Sequence, residues 1–174
     1  MIGKKFLNAV ANGQVDILQI LLDILKKKKA TYCVIGGLAV NAYVEPVVSL
    51  DLDVVIKSED IEKVCSEAET GNLRVKRFEH SINLSSPQSD LRIQIQTDSR
   101  YQEFLSRSRS EEMLGYTMNV AAVEDVMQGK IWAYLDKSRR RSKRQKDLTD
   151  IMRLLESYPS LENRIPKTIL DKML

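Results

Sequence analysis

The stretch Val34-Ile-Gly-Gly-Leu-Ala-Val-Asn-Ala-Tyr-Val-Glu-Pro-Val-Val-Ser-Leu-Asp-Leu-Asp-Val-Val-Ile-Lys57 reads as strand, glycine turn, helix and second strand. The second strand carries two aspartates, Asp51 and Asp53. On a strand, residues i and i+2 point to the same side, so these carboxylates project together, about 6–7 Å apart at Cα. Two such charges repel unless a cation or a proton sits between them. A hard divalent ion such as Mg2+ answers that need. Strand interiors also disfavour aspartate, and here the pair interrupts Leu50, Leu52, Val54, Val55 and Ile56, the most strand-like run of the chain. The competing reading is an edge strand with one solvated face.

The residues around this stretch extend the pattern. Upstream, Leu18, Leu21, Leu22 and Leu25 follow helical spacing, which predicts a helical segment over residues 1–29 ending in Lys26 to Lys29. Thr31 to Ile35 is the first strand and Leu38 to Tyr43 a helix stopped by Pro46. Ser58 is a candidate N-cap for a helix over Glu59 to Glu69. Arg74 to Phe78, Ser81 to Leu84 and Leu91 to Thr97 read as strands, with a turn at Ser85 to Ser89. Tyr101 to Arg107 reads as a helix and Tyr116 to Val120 as a last strand. Helices then follow over Val123 to about Lys137 and about Lys146 to Ser157, with Pro159 and Pro166 breaking up the tail. This order predicts one α+β domain. Its parts are a helical segment (1–29), an α/β core (30–121) and C-terminal helices (122–174).

Composition sets limits on function. The chain of 174 residues is 43% hydrophobic and 29% charged, with net charge +3. Those are the proportions of a globular protein able to bury a core, with a mild bias toward polyanionic ligands. Only Cys33, Cys65 and His80 could serve a Cys/His zinc site, too few and too scattered. Met1-Ile-Gly-Lys-Lys-Phe6 lacks the apolar core of a secretory leader, and no apolar run approaches the roughly 20 residues of a membrane span. Cytoplasmic residence with reduced thiols is the expectation.

Further residues could carry chemistry. Gly36 and Gly37 let a backbone approach phosphate oxygens at the start of a helix, or simply make a tight turn. Lys130 falls inside the apolar stripe of Val126, Met127, Ile131 and Tyr134, where a lysine either snorkels or meets an anion. Asp147 follows the basic run Lys137-Ser-Arg-Arg-Arg-Ser-Lys-Arg-Gln-Lys146, near the expected start of a helix whose dipole favours a carboxylate. The run itself either steers RNA or nucleotide phosphates or is a solvated connector.

Taken in order, Gly36-Gly37, Ser49-Leu-Asp51-Leu-Asp53, Gly129-Lys130-Ile-Trp-Ala133 and Lys143-Arg-Gln-Lys-Asp147-Leu-Thr-Asp150 resemble the minimal nucleotidyltransferases of the DNA polymerase β superfamily. The AbiEii-type toxins of type IV toxin–antitoxin systems are the nearest flavour. The resemblance implies a nucleotidyltransferase-like mixed β-sheet with flanking helices and a C-terminal helical portion. It implies Mg2+ on Asp51 and Asp53, nucleotide at Gly36, Gly37, Ser49, Lys130 and Lys146, and catalytic roles for Asp51, Asp53, Lys130 and Asp147. The implied reaction moves NMP from an NTP to a hydroxyl of an RNA (tRNA-like) or protein acceptor and releases pyrophosphate. A cognate antitoxin is an implied partner and a membrane is not.

Two departures stand out. Val47 and Ser49 replace the arginine and threonine that often precede the pair. Gln94 stands where the family's third carboxylate aligns, and a glutamine can ligate a metal only through its neutral carbonyl. Either the site works with two acids, or Asp98 or Asp147 fills the gap, or chemistry has been lost and the fold binds nucleotide, RNA or a partner protein.

Overall fold

The structure, a computed structural model, describes residues 2–173. Seven strands form one sheet in the order β3-β4-β5-β2-β1-β7-β6. The strands are β1 (Tyr32–Ile35), β2 (Asp51–Ile56), β3 (Arg74–Arg77), β4 (Ser81–Ser86), β5 (Ser89–Gln96), β6 (Arg109–Met113) and β7 (Tyr116–Val120). The helices are α1 (Ile2–Val10), α2 (Ile17–Lys27), α3 (Gly36–Val40), α4 (Ile61–Thr70), α5 (Val123–Leu135), α6 (Arg141–Ser157) and α7 (Lys167–Leu170). The sheet is mixed: β2 runs parallel to β5 and β1 parallel to β7, while β1 and β2 are antiparallel. This is the expected α+β fold, with helices flanking the sheet and closing the C-terminal end.

Period-two alternation sorts the central strands into two faces. Leu52, Val54 and Ile56 of β2 and Leu91, Ile93 and Ile95 of β5 are buried. Asp51, Asp53, Arg92, Gln94 and Gln96 alternate with them. The parallel register sets Asp51 beside Arg92 and Asp53 beside Gln94, and the next ladder sets Gln94 beside Asn83 of β4. A polar row therefore crosses three strands on one face. Helices α3, α5 and α6 pack together. The outer strands β3 and β6, Arg74-Val-Lys-Arg77 and Arg109-Ser-Glu-Glu-Met113, are charged, which discourages edge-to-edge pairing.

The structure differs from the sequence-based expectations in instructive places. The first segment is two helices, parted by a turn in which Asn12 has φ 49°. Asp16 caps α2, accepting from the Gln19 amide at 3.0 Å, and its other oxygen accepts from the Tyr116 hydroxyl at 2.8 Å, tying the segment to β7. Ser58 opens a 3-10 turn, Ser58–Asp60, and makes no side-chain cap; α4 begins after it. Ser99–Arg107 is a 3-10 helix. The strand β6 has no alternating signature and forms because a tight turn folds it onto β7. Leu114 (φ 53°) and Gly115 (φ 79°) supply the two left-handed residues that a two-residue hairpin loop requires. Leu-Gly is not the usual Asn-Gly signal, so the hairpin is silent in the sequence. Helix α6 starts at Arg141 instead of about Lys146: its first turns are all polar, and long charged residues extend a helix by propensity without leaving an apolar stripe.

Asp60 joins the start of β1 to α4. Its buried carboxylate accepts from the Thr31 amide at 2.9 Å and pairs with Lys63 at 2.6 Å. The Lys63 and Thr31 hydrogen bonds together hold its pKa below the usual carboxylate value, against the opposing effect of burial. A depressed carboxyl pKa stabilises the fold above the unfolded-state value and loses that contribution as pH falls through the folded-state value. Asp60→Ala is therefore expected to lower stability at pH 7 by about 1–2 kcal/mol. In denaturant titrations the gap to wild type should narrow below about pH 4; a gap of constant size down to pH 2.5 would contradict this role.

Candidate active site

The polar row forms the floor of a cleft of about 260 Å³, to which Gly36, Asp51, Asp53, Asn83, Gln94, Lys130, Arg139, Lys143 and Asp147 all contribute. Asp51 and Asp53 stand side by side on β2, as their spacing requires. Gly36, the first residue of α3 directly after β1, has φ 70°, and any Cβ there would collide with Asp53 Oδ2. The glycine is thus needed twice, for its backbone conformation and for the room it leaves the carboxylate.

The two aspartates live in different surroundings. Asp51 is half-buried, and both its oxygens are engaged: Arg92 Nε donates to Oδ1 at 2.8 Å and Lys143 Nζ to Oδ2 at 3.2 Å. Burial raises its pKa, but Lys143 and Arg92 outweigh this and hold it below the ordinary value. Asp53 has no ion-pair partner among the described residues. Burial pushes its pKa up, Asp51 adds to the rise, and the more distant Lys130, Arg139 and Lys143 only partly offset it.

A buried ion network backs the cleft. Lys130 of α5, 6% exposed, reaches Asp147 at 3.1 Å and Asp150 at 2.8 Å, both on α6. Asp147 also takes Arg139 at 2.7 Å. Asp147 and Asp150 are three residues apart on α6, so they share a helix face and clamp one ammonium between them. Burial alone would depress the Lys130 pKa; the two carboxylates reverse that, and it lies above the usual lysine value. Lys130 therefore neither snorkels nor stands free: it is held. Asp147 lies well inside α6, so the helix-start dipole does not explain it; its partners do.

Other expected site residues sit differently. Ser49 is buried at the entry to β2, where its Oγ accepts from the Asp51 amide and donates to the Asp51 carbonyl, both at 3.3 Å. Gly37 has open space beside it, with only Ser49 Oγ 3.9 Å from where a Cβ would be. Lys146 is exposed and does not line the cleft; Lys143, nearly one turn earlier, is the α6 lysine that does. Asp98 caps the 3-10 helix and is fastened to Arg100, away from the cleft floor, so it supplies no third carboxylate there. Gln94 is directly beside Asp53. Sequence reasoning passed over Arg92, Arg139, Lys143 and Asp150. The signals were present: Arg92 shares its strand face with Gln94, and Lys143, Asp147 and Asp150 have i, i+4, i+7 spacing.

A divalent cation can be tested against these donors. Two adjacent carboxylates and the Gln94 carbonyl are hard oxygen ligands, and Asn83 Oδ1 is a buried acceptor with no partner in the same cleft. The set fits one hard divalent ion. It does not form a three-acid cluster: no group of three metal-ligating acids, cysteines or histidines occurs among the described residues.

Removing Lys130 leaves Asp147 and Asp150 buried with one fewer cation. Lys130→Met is expected to destabilise the fold by about 3–5 kcal/mol, read by denaturant unfolding. A loss under 1 kcal/mol would mean that the network is not a structural support of the cleft.

Comparison with known proteins agrees with this geometry. Residues 20–173 match the family described as "Nucleotidyl transferase AbiEii toxin, Type IV TA system". No curated protein sequence matches the chain. Among solved structures, the antibiotic-resistance factor ANT(2'')-Ia in solution is similar with TM-score 0.60 at 11% identity, covering 92% of this chain and 96% of that one. The lincosamide antibiotic adenylyltransferase LnuA with bound lincomycin has TM-score 0.57 at 12% identity, covering 82% and 98%. An antigenic nucleotidyltransferase-like protein from Paracoccidioides brasiliensis has TM-score 0.55 at 16% identity, covering 96% and 86%. At these identities the solved structures speak for a shared fold, while the family match spans most of the chain: this protein belongs to the AbiEii nucleotidyl transferase toxin family of type IV toxin–antitoxin systems.

Proposed function

We propose that this protein transfers a nucleoside monophosphate from an NTP to a hydroxyl of an RNA or protein acceptor and releases pyrophosphate. The observation that carries the reading is the pair Asp51 and Asp53, presented together on the cleft floor against the Gly36 turn. Asp51 and Asp53 would hold a divalent ion, Mg2+ by its preference for hard oxygen ligands, with the Gln94 carbonyl beside them. When bound, that ion supplies stabilisation of the charge that develops on the α-phosphate.

The chain's own groups do the rest. The Gly36–Gly37 turn lets the triphosphate come close to the backbone. Lys130, locked by Asp147 and Asp150, presents a fixed positive charge at the cleft wall and needs no reorganisation during reaction. Arg139, fastened to Asp147, adds a second. Asp147 thereby acts through the cations it positions. The exposed charges of Lys137, Arg140, Arg141 and Lys146 favour an RNA acceptor over a protein one. No helix among the described residues is long and apolar enough to cross a membrane. The family match supports a cognate antitoxin as partner, and the free, buried thiols of Cys33 and Cys65 suit a reducing cytoplasm.

A second reading keeps the fold and drops the chemistry. Gln94 beside Asp53, with Arg92 and Lys143 on Asp51, favours a module that binds nucleotide without turning it over. The two readings separate on one assay. With α-labelled NTPs and cellular RNA or protein as acceptors, wild type should transfer label, and Asp51→Ala and Asp53→Ala should each reduce transfer by at least about a hundredfold. Transfer that survives both substitutions sinks the catalytic reading. NTP binding retained by Asp53→Asn, with no transfer by wild type, supports the binding module.

The Asp53 pKa gives a pH test. Asp53 must be ionised to hold a cation, and its raised pKa means that it gains a proton above the usual carboxylate value of about 4 as pH falls. At sub-saturating metal, kcat/KM should decline on the acid side at a pH above the usual carboxylate value, and metal should extend the plateau to lower pH as its concentration rises. A profile that stays flat down to the usual carboxylate value of about 4 at low metal would contradict it.

A further inference from the structure

Asp51 is the best-compensated carboxylate on the cleft floor, and that is unexpected for a metal ligand. Two cations hold its two oxygens, one from the neighbouring strand β5 and one from helix α6. Neither contact has a strong structural purpose. The Arg92 side chain is 66% exposed and that of Lys143 40% exposed; ion pairs this open add little to stability. The arrangement also leaves the cleft neutral in formal charge. Among the residues that line it, Asp51, Asp53, Asp125 and Asp147 are matched by Arg92, Lys130, Arg139 and Lys143, and Gln94 adds nothing.

Neutrality has a consequence for loading. A divalent ion arriving alone must displace two cations from Asp51 and leaves the cleft with excess positive charge. A triphosphate arriving alone can draw those cations to its oxygens but then faces the bared Asp51. When both arrive, each removes the other's obstacle: the phosphates take Arg92 and Lys143, and Asp51 turns to the metal. Lys130 and Arg139 cannot make this exchange so readily, because Asp147 and Asp150 hold them within the buried network.

We propose that Arg92 and Lys143 are triphosphate ligands stored on Asp51, and that they gate its metal site, so that nucleotide and divalent ion load as a coupled pair. This rests on the nucleotidyltransferase reading of the same cleft. It assigns Arg92 and Lys143 a role in binding, and it makes a signature that a merely structural pair would not produce: removing them should move the affinities for the two ligands in opposite directions.

The test uses the full-length chain, with Arg92→Gln, Lys143→Gln and the double variant. Binding of Mn2+ without nucleotide is followed by the electron paramagnetic resonance of the free ion. Binding of ATP, GTP, CTP and UTP in EDTA is followed by calorimetry. Both side chains are largely outside the core, and thermal melts verify that each variant is folded. The expected result for the double variant is Mn2+ binding about tenfold tighter than wild type and NTP binding in EDTA about tenfold weaker, with smaller changes of the same signs in the single variants. Mn2+ affinity that is unchanged or weaker, or NTP affinity that is unchanged, overturns the proposal while leaving the transferase reading intact. If neither Mn2+ nor any of the four NTPs binds wild type or variants, the reading of the cleft fails as well.

Discussion

The register of β2 against β5 is the constraint on which the cleft depends. The two strands run parallel, and their pairing sets Asp51 beside Arg92 and Asp53 beside Gln94. Because side chains alternate, a slip of one residue would turn these groups into the core and bring Leu52, Ile93 and their neighbours to the surface. The apolar face therefore enforces the polar one. The burial of Leu52, Val54, Ile93 and Ile95 is what keeps two carboxylates, an arginine and a glutamine on a common floor.

On that floor the chain treats its charges in two ways. Lys130, Asp147, Asp150 and Arg139 form a network held between α5, α6 and the loop between them, where losing one member leaves another uncompensated. Arg92, Lys143 and Asp51 form an open triad whose members can change partners at little cost. Asp53 stands between the two sets without a direct partner, its charge disfavoured by burial. A rigid rear wall and an exchangeable front suit a ligand that brings both strong negative charge and a cation.

Much of this was legible in the chain, and the reasons for success and failure are physical. Asp51 and Asp53 declared themselves because carboxylates conflict with a strand's apolar pattern, and Lys130 because it interrupts an apolar stripe. The central strands and α5 followed from periodicity, which reports burial. Periodicity is blind where burial is absent. Helix α6 begins in Arg141-Ser-Lys-Arg-Gln-Lys146, with no apolar side chain, so periodicity sets its start too late; Lys146 came from the resemblance's lysine–aspartate step, whereas Lys143 is the α6 lysine that lines the cleft. The edge strand β6 was missed for the same reason, its pairing decided by the Leu114–Gly115 turn. Arg92 was invisible as an Asp51 partner because that contact exists only through the β2–β5 register, between residues 41 apart in sequence.

Membership of the AbiEii family sets the fold and the general reaction, while Gln94, Arg92 and Lys143 give this chain's cleft its own charge balance. A crystal structure with a divalent ion and a non-hydrolysable NTP tests the account most directly. The account predicts one ion between Asp51 and Asp53, with Arg92 and Lys143 moved from Asp51 onto phosphate oxygens. A nucleotide bound away from the Gly36 turn, or Arg92 and Lys143 still closed on Asp51 beside a bound triphosphate, would contradict it.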